Sequence, residues 1–260
     1  MNSSRHVKRL TQVGVAMAFG LLAAQATTVA SAQGTAAPRQ EAPSETLSVR
    51  QQTIVPIAAF GAAGDMAGLS TSLNQGLDAG LTVNDIKEVL LQLYAYAGFP
   101  RSLNALNELM NVLEARKQRG VQDQLGKTPS RPIPQGDALL AAGTANQTRI
   151  LGAPSKSAVY EFVPAVDQYL KQHLFDAIFE RDNLDWQSRE LATVGMLSAL
   201  PGVEAQLQAH LGFSMNVGIT TAQLKQLTQV LVEKVDAGSA SRARDALARQ
   251  LASRSQALPR

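Results

Sequence analysis

The chain has no cysteine, and only His6, His173 and His210 as histidines. Without thiols it has no disulfide, no thiol redox chemistry and no thiolate metal site. Two histidines well apart in the body of the chain exclude a histidine-rich zinc centre, so neither a metal nor another cofactor is expected. No stretch alternates apolar and polar residues for long, so no strand is expected. No apolar run is long enough for a comfortable membrane span. Excess positive charge is also missing once the N-terminus is set aside. Three of the 24 Lys and Arg residues are Arg5, Lys8 and Arg9, which leaves 21 against 21 Asp and Glu. That balance gives no reason to expect a nucleic-acid partner.

What is present begins with an export signal. The three basic residues precede an apolar run from Val13 to Ala24, and Ala30-Ser31-Ala32 has the small residues of a cleavage site. Residues 1–32 therefore read as a secretory signal peptide. The mature chain is expected to start near Gln33, outside the cytoplasm (periplasmic or secreted) and free of the membrane. Residues 33–46 are polar and Pro-containing and read as a disordered lead-in.

Helical punctuation follows. Ser48…Gln51 is a capping box, and Gly61 and Gly64 are expected to break the helix it starts. Leu69, Leu73 and Leu77 mark a second helix ending at Gly80. Thr82…Asp85 starts a third, and after Tyr94–Pro100 (YAYAGFP) a fourth carries Leu103 to Leu113. Residues 117–160 are rich in Pro, Gly, Ser and Thr and read as a linker over the surface, with at most one helical turn near Leu139. Helices are expected again at 163–180, in a hairpin between Asp185 and Thr220, at 220–235 and at 242–253.

That hairpin organises the chain. Asp185 can cap a helix with Leu191, Val194 and Leu197 on one face. Pro201-Gly202 turns the chain back, and Leu207, Leu211 and Met215 form the second stripe. Glu190 stands 11 residues before Pro201 and His210 stands 9 after it. At about 1.5 Å of rise per residue the two side chains fall at nearly the same height on antiparallel helices. A carboxylate beside an imidazole is a simple acid/base pair. The plainer alternative is a Glu190 paired with a neighbouring base in solvent, and a His210 satisfied in the core.

The chain also repeats. Leu81-Thr82 and Ile219-Thr220 stand 138 residues apart, and the same offset sets Ser72 against His210. Gln51 is then expected opposite Glu190, with one residue of slippage at the helix starts. Two units, 47–116 and 161–254, are expected, the first lacking the acid/base pair.

Asp185…Arg189-Glu190-Leu191…His210…Gly218-Ile219-Thr220 resembles the core of the carboxymuconolactone decarboxylase family, which includes alkylhydroperoxidase-D-like proteins. Gly80-Leu81-Thr82…Asp85-Ile86-Lys87-Glu88-Val89-Leu90…Tyr96-Ala97-Gly98-Phe99-Pro100 resembles it in the first unit. The likeness covers about 47–113 and 163–235. It implies an all-α fold of two alkylhydroperoxidase-D-like units packed as a pseudo-dimer, assembling as a homotrimer. In the peroxidase branch a Glu, a CxxC pair and a His form a proton relay, carried here onto Glu190 and His210. The cysteine positions fall near Gly202–Gln206, where no thiol stands, so peroxide reduction through a disulfide is excluded.

The decarboxylase branch, which needs neither thiol nor cofactor, implies a small carboxylated lactone or related acid as substrate. His210 would deliver a proton to carbon, with Glu190 fixing its tautomer. Arg189 would hold a substrate carboxylate, or else be a solvated arginine at a helix start. Tyr94 and Tyr96 would offer phenol donors, or else pack. His173, among apolar neighbours, reads as structural. A non-catalytic oligomeric binding protein that keeps only the scaffold is the competing class.

Overall fold

The computed structural model describes residues 44–257. The signal peptide and most of the lead-in lie outside the described residues. Within them the fold is all-α, with no strand, and no helix is long and apolar enough to cross a membrane.

Local chemistry sets the early boundaries. Ser48 accepts from the Gln51 amide and Gln51 accepts from the Ser48 amide, a complete capping box that starts α1 (Val49–Ala63). Gly64, in the left-handed region at φ 76°, ends it. Gly61 does not break α1. It is buried inside the helix, where a Cβ would stand 3.1 Å from Leu93. A missing side chain admits a neighbouring helix there, which sequence alone cannot tell from a stop signal.

Asp65 caps α2 (Met66–Asp78), and the Thr82–Asp85 capping box starts α3 (Val83–Gln92). One short turn, α4 (Tyr94–Ala97), leads through Gly98 at φ 84° into α5 (Phe99–Gln118).

The segment expected to be a linker contains a full helix, α6 (Asp137–Leu151). Its buried face is Gly143, Asn146, Gln147 and Ile150, nearly devoid of apolar side chains, so it left no stripe in the sequence. The helix is instead defined by close approach. A Cβ on Gly143 would run into the backbone carbonyl of Lys171. The single helix expected at 163–180 is three pieces: α7 (Ala158–Phe162), α8 (Pro164–Tyr169) and a π-helical segment (Leu170–Ile178).

Four helices complete the chain: α9 (Trp186–Ala199), α10 (Glu204–Asn216), α11 (Thr221–Lys234) and α12 (Ala237–Ala257). Asp185 and Thr220 cap α9 and α11 as their sequences require. Gly202, at φ 83°, makes the turn after Pro201.

One apolar core takes side chains from both halves of the described chain, including Ile54, Ile57, Leu90, Val194 and Leu231. Its centre is α9, which buries every residue from Ser188 to Ser198. A Cβ on Gly195 would stand 2.8 Å from the Val55 carbonyl oxygen and 3.3 Å from Ala58, so α1 and α9 cross with their backbones close together. A second, aromatic-rich core joins α6 and the π-helical segment through Ile150, Leu174, Phe175 and Phe179, with Tyr96, Trp186 and Phe213 against it.

Candidate active site

Glu190 lies in the second turn of α9 and His210 in the second turn of α10. The Pro201-Gly202 reversal sets them side by side. His210 Nδ1 is 2.9 Å from Glu190 Oε2, with Glu190 0% and His210 8% exposed. A carboxylate can only accept, so Nδ1–H donates and the tautomer is fixed, leaving Nε2 for another group. Glu190 Oε1 is buried and accepts no hydrogen bond among the described residues. Such an atom is costly unless a ligand or water completes it.

The imidazole is held edge-on between two rings. Phe213, one turn further along α10, has its centroid 5.0 Å away at 73°, and Tyr96 of α4 has its centroid 5.4 Å away at 79°. Tyr96 therefore brings the YAYAGFP segment onto the pair. Gly98 makes this approach possible by closing α4 at a backbone angle that side-chain-bearing residues rarely adopt. The Tyr96 hydroxyl is buried, with the Thr193 side chain beside it. Burial pushes this phenol well above its ordinary pKa, and the Glu190 charge adds to the shift, so it stays a donor. Tyr94 points elsewhere: its ring stacks on Phe99 with centroids 4.6 Å apart, and burial raises its phenol too.

Arg189 fits neither expectation for it. It is 0% exposed, so it is not a solvated arginine, and its terminal nitrogens are spent on Gln92, Glu88 and the Arg181 carbonyl, while Nε has no partner among the described residues. One terminal nitrogen lies 3.0 Å from Glu88 and 2.8 Å from the Arg181 carbonyl. Glu88 also takes two bonds from Arg181, at 2.7 and 2.8 Å, and one from Asn183 at 3.1 Å. Burial pushes the Glu88 carboxyl up, but these bonds and the Arg189 charge outweigh it and hold the group below the ordinary carboxylate range. Burial pulls the Arg189 guanidinium down against the opposing charge of Glu88. From α3, Gln92 completes the clamp by donating to the Arg189 carbonyl at 3.0 Å and to Thr193 Oγ1 at 2.7 Å. Arg189 thus fixes α9, one residue from Glu190.

His173 is exposed and edge-on to Tyr169, so it is not a core histidine. The π-helical register turns it outward and turns Asp176 inward. Asp176 is fully buried, both its carboxylate oxygens lack partners, and burial together with nearby Glu180 raises its pKa to about 6. The signal for it in the sequence was an acidic residue inside the apolar run Leu174–Phe179. Among the described residues no group of three or more His, Asp or Glu side chains is arranged to hold a metal ion.

The helix caps offer a second register for the expected repeat. Ser48 and Asp185 occupy the same cap position, and each accepts from the amide three residues on. Counting from these caps sets Thr53, not Gln51, opposite Glu190. Gln51 is committed to its own capping box. Thr53 donates to the Arg50 carbonyl, and Ser72 is buried on α2, so neither forms a proton-shuttling pair.

The fold and site define an all-helical protein with a buried carboxylate–imidazole couple between two short antiparallel helices. Residues 23–109 match the family model of the carboxymuconolactone decarboxylase family. The match takes in Tyr96 and ends within α5. No curated protein matches the chain.

Proposed function

We propose that the protein is a cofactor-independent decarboxylase-like enzyme acting on a carboxylated lactone or a related small organic acid, with Glu190 and His210 as its proton-transfer couple. The observation that carries this reading is the 2.9 Å contact between a fully buried carboxylate and an imidazole whose other nitrogen is uncommitted to it. The match of residues 23–109 to the carboxymuconolactone decarboxylase family model supports it.

The chemistry balances without a cofactor. The bond between the carboxylate carbon and the ring breaks, carbon dioxide leaves, and the electron pair passes into the conjugated lactone carbonyl. The resulting dienolate takes a proton at carbon from Nε2–H of the His210 imidazolium, which leaves the neutral Nδ1–H tautomer, and a proton from solvent then restores the imidazolium. Glu190 holds the ring in the donating orientation and stabilises the imidazolium. The Tyr96 phenol, buried and still protonated, is suited to donate to the developing oxyanion.

The proposal extends to the chain's organisation. When the N-caps are aligned, Ala58 and Gly195 become equivalent positions, and they meet where α1 crosses α9. This supports two units packed as a pseudo-dimer, which would form a homotrimer after export and signal cleavage. The deciding experiment incubates the purified protein with a panel of carboxylated lactones and follows carbon dioxide release. Release that disappears in His210→Gln supports the reading. No release from any member, with the fold intact, turns it toward a binding scaffold.

A further inference from the structure

A cavity of about 580 Å³ lies between α6, the end of the π-helical segment, and the facing ends of α9 and α10. Its floor is Trp186, and the Arg149 guanidinium lies over the indole with its central carbon 4.3 Å from the ring centroid. A guanidinium stacked in this way keeps its N–H edges free. Arg149 makes no ion pair and no side-chain hydrogen bond among the described residues.

The other charges around the cavity are committed. Asp182 accepts from Ser130 and faces Arg131 at 3.7 Å. Asp185 accepts from the Ser188 amide at 2.7 Å, Glu180 accepts from Asn146 at 2.6 Å, and Arg181 is spent on Glu88. Arg149 is therefore the cation of the cavity that makes no ion pair among the described residues. The walls beside it are apolar at Phe179 and Val217.

Place in the fold adds a direction. Trp186 precedes Glu190 by one helical turn on α9, a rise of about 6 Å, and so lies on the same face. Val217 follows His210 by two turns on α10, with Phe213 between them and its ring against the imidazole. The cavity therefore adjoins the couple along the groove between the two helices, although neither Glu190 nor His210 lines it.

We infer that this cavity is a binding site for a small organic monocarboxylate, its carboxyl group held by the Arg149 fork and its apolar body against Phe179 and Val217. A planar fork suits the two oxygens of a carboxylate. Three acidic side chains around the rim disfavour a dianion such as phosphate. That the bound carboxylate belongs to the molecule processed at the couple rests on the function proposed above, whereas the binding does not.

Trp186 is the only tryptophan in the chain, so the site carries its own reporter. The full-length protein would be titrated with benzoate, and separately with benzamide, while Trp186 emission is followed. A saturable change with benzoate and none with benzamide is expected. Arg149→Gln should weaken benzoate binding at least tenfold. Arg149→Lys, which keeps the charge and loses the fork, should fall between and guards against a folding failure in the first variant. Equal responses to the two compounds, or unchanged benzoate affinity in both variants, would overturn the inference. Benzoate binding without carbon dioxide release from lactones leaves this site standing and removes the decarboxylase reading. Release without benzoate binding removes the site alone.

Discussion

Glu190 gives one carboxylate oxygen to His210 at 2.9 Å and keeps the other buried and unpaired. If the two side chains act as one couple, His210→Gln and Glu190→Gln each remove most turnover, and the double variant is little worse than either. Groups that share one step are strongly non-additive. Both variants should retain their helical signal by circular dichroism, since Gln keeps part of the hydrogen bonding. Independent, multiplying losses would show that the pair is not a couple.

Glu88 should set the acid limit of the fold. Its carboxyl is held below the ordinary range, so it contributes stability that is complete above the unfolded value of about 4.3 and is lost as pH falls through the lower folded value. Glu88→Gln strands Arg189 in the core without its counter-charge. A loss of about 3–5 kcal/mol at pH 7 is the scale for breaking a buried ion pair on one side. Denaturant unfolding at pH 7 and pH 3 checks this, with the variant's deficit shrinking at the lower pH.

Asp176 should behave in the opposite sense. Its folded pKa is raised to about 6, so its charge opposes folding once pH passes the unfolded value, and the penalty is complete above about 6. Asp176→Asn is expected to raise the melting temperature at pH 7.5 by about 2–4 °C for each kcal/mol relieved. The gain should vanish at pH 3.5. An equal gain at both pH values would point to a packing effect instead.

Gly143 is a test of α6. In an exposed helix interior, Gly→Ala stabilises by about 1 kcal/mol. Here the new Cβ meets the Lys171 backbone, which cannot swing aside as a side chain would. Gly143→Ala is therefore expected to lower the melting temperature. Gly120, with nothing within 4 Å but φ at +80°, is a useful comparison, because any loss there comes from backbone conformation alone.

What the sequence made legible were features written within a few residues. The capping boxes at Ser48, Thr82 and Thr220, the Asp185 cap and the Pro201-Gly202 reversal are local chemistry, and the relative height of Glu190 and His210 follows from counting. The all-α class followed from the same periodicities. What escaped depends on partners remote in the chain. Arg189 was read as a surface or ligand-binding charge because its counter-charge, Glu88, stands 101 residues away. Helix α6 was missed because it packs through glycine and amides rather than through an apolar stripe. The π-helical segment has no composition of its own, and its one-residue widening is what exposes His173 and buries Asp176. Stacking of Arg149 on Trp186 joins two segments that no spacing rule connects.

The crossing of α1 over α9 also governs the order in which the chain can fold. Val55 meets Gly195 through a backbone approach, and the two are separated by most of the described chain. Helix α1 buries residues nearly all round, so it has no stable surface until α9 is made. As the chain is made from its N-terminus, helices α1 to α5 must wait with an open core while the segment up to α9 follows. Contacts this distant slow folding and leave apolar surface unprotected meanwhile. The nascent first half is thus the stage with the most uncovered apolar surface, and a fragment ending before α9 should aggregate rather than fold.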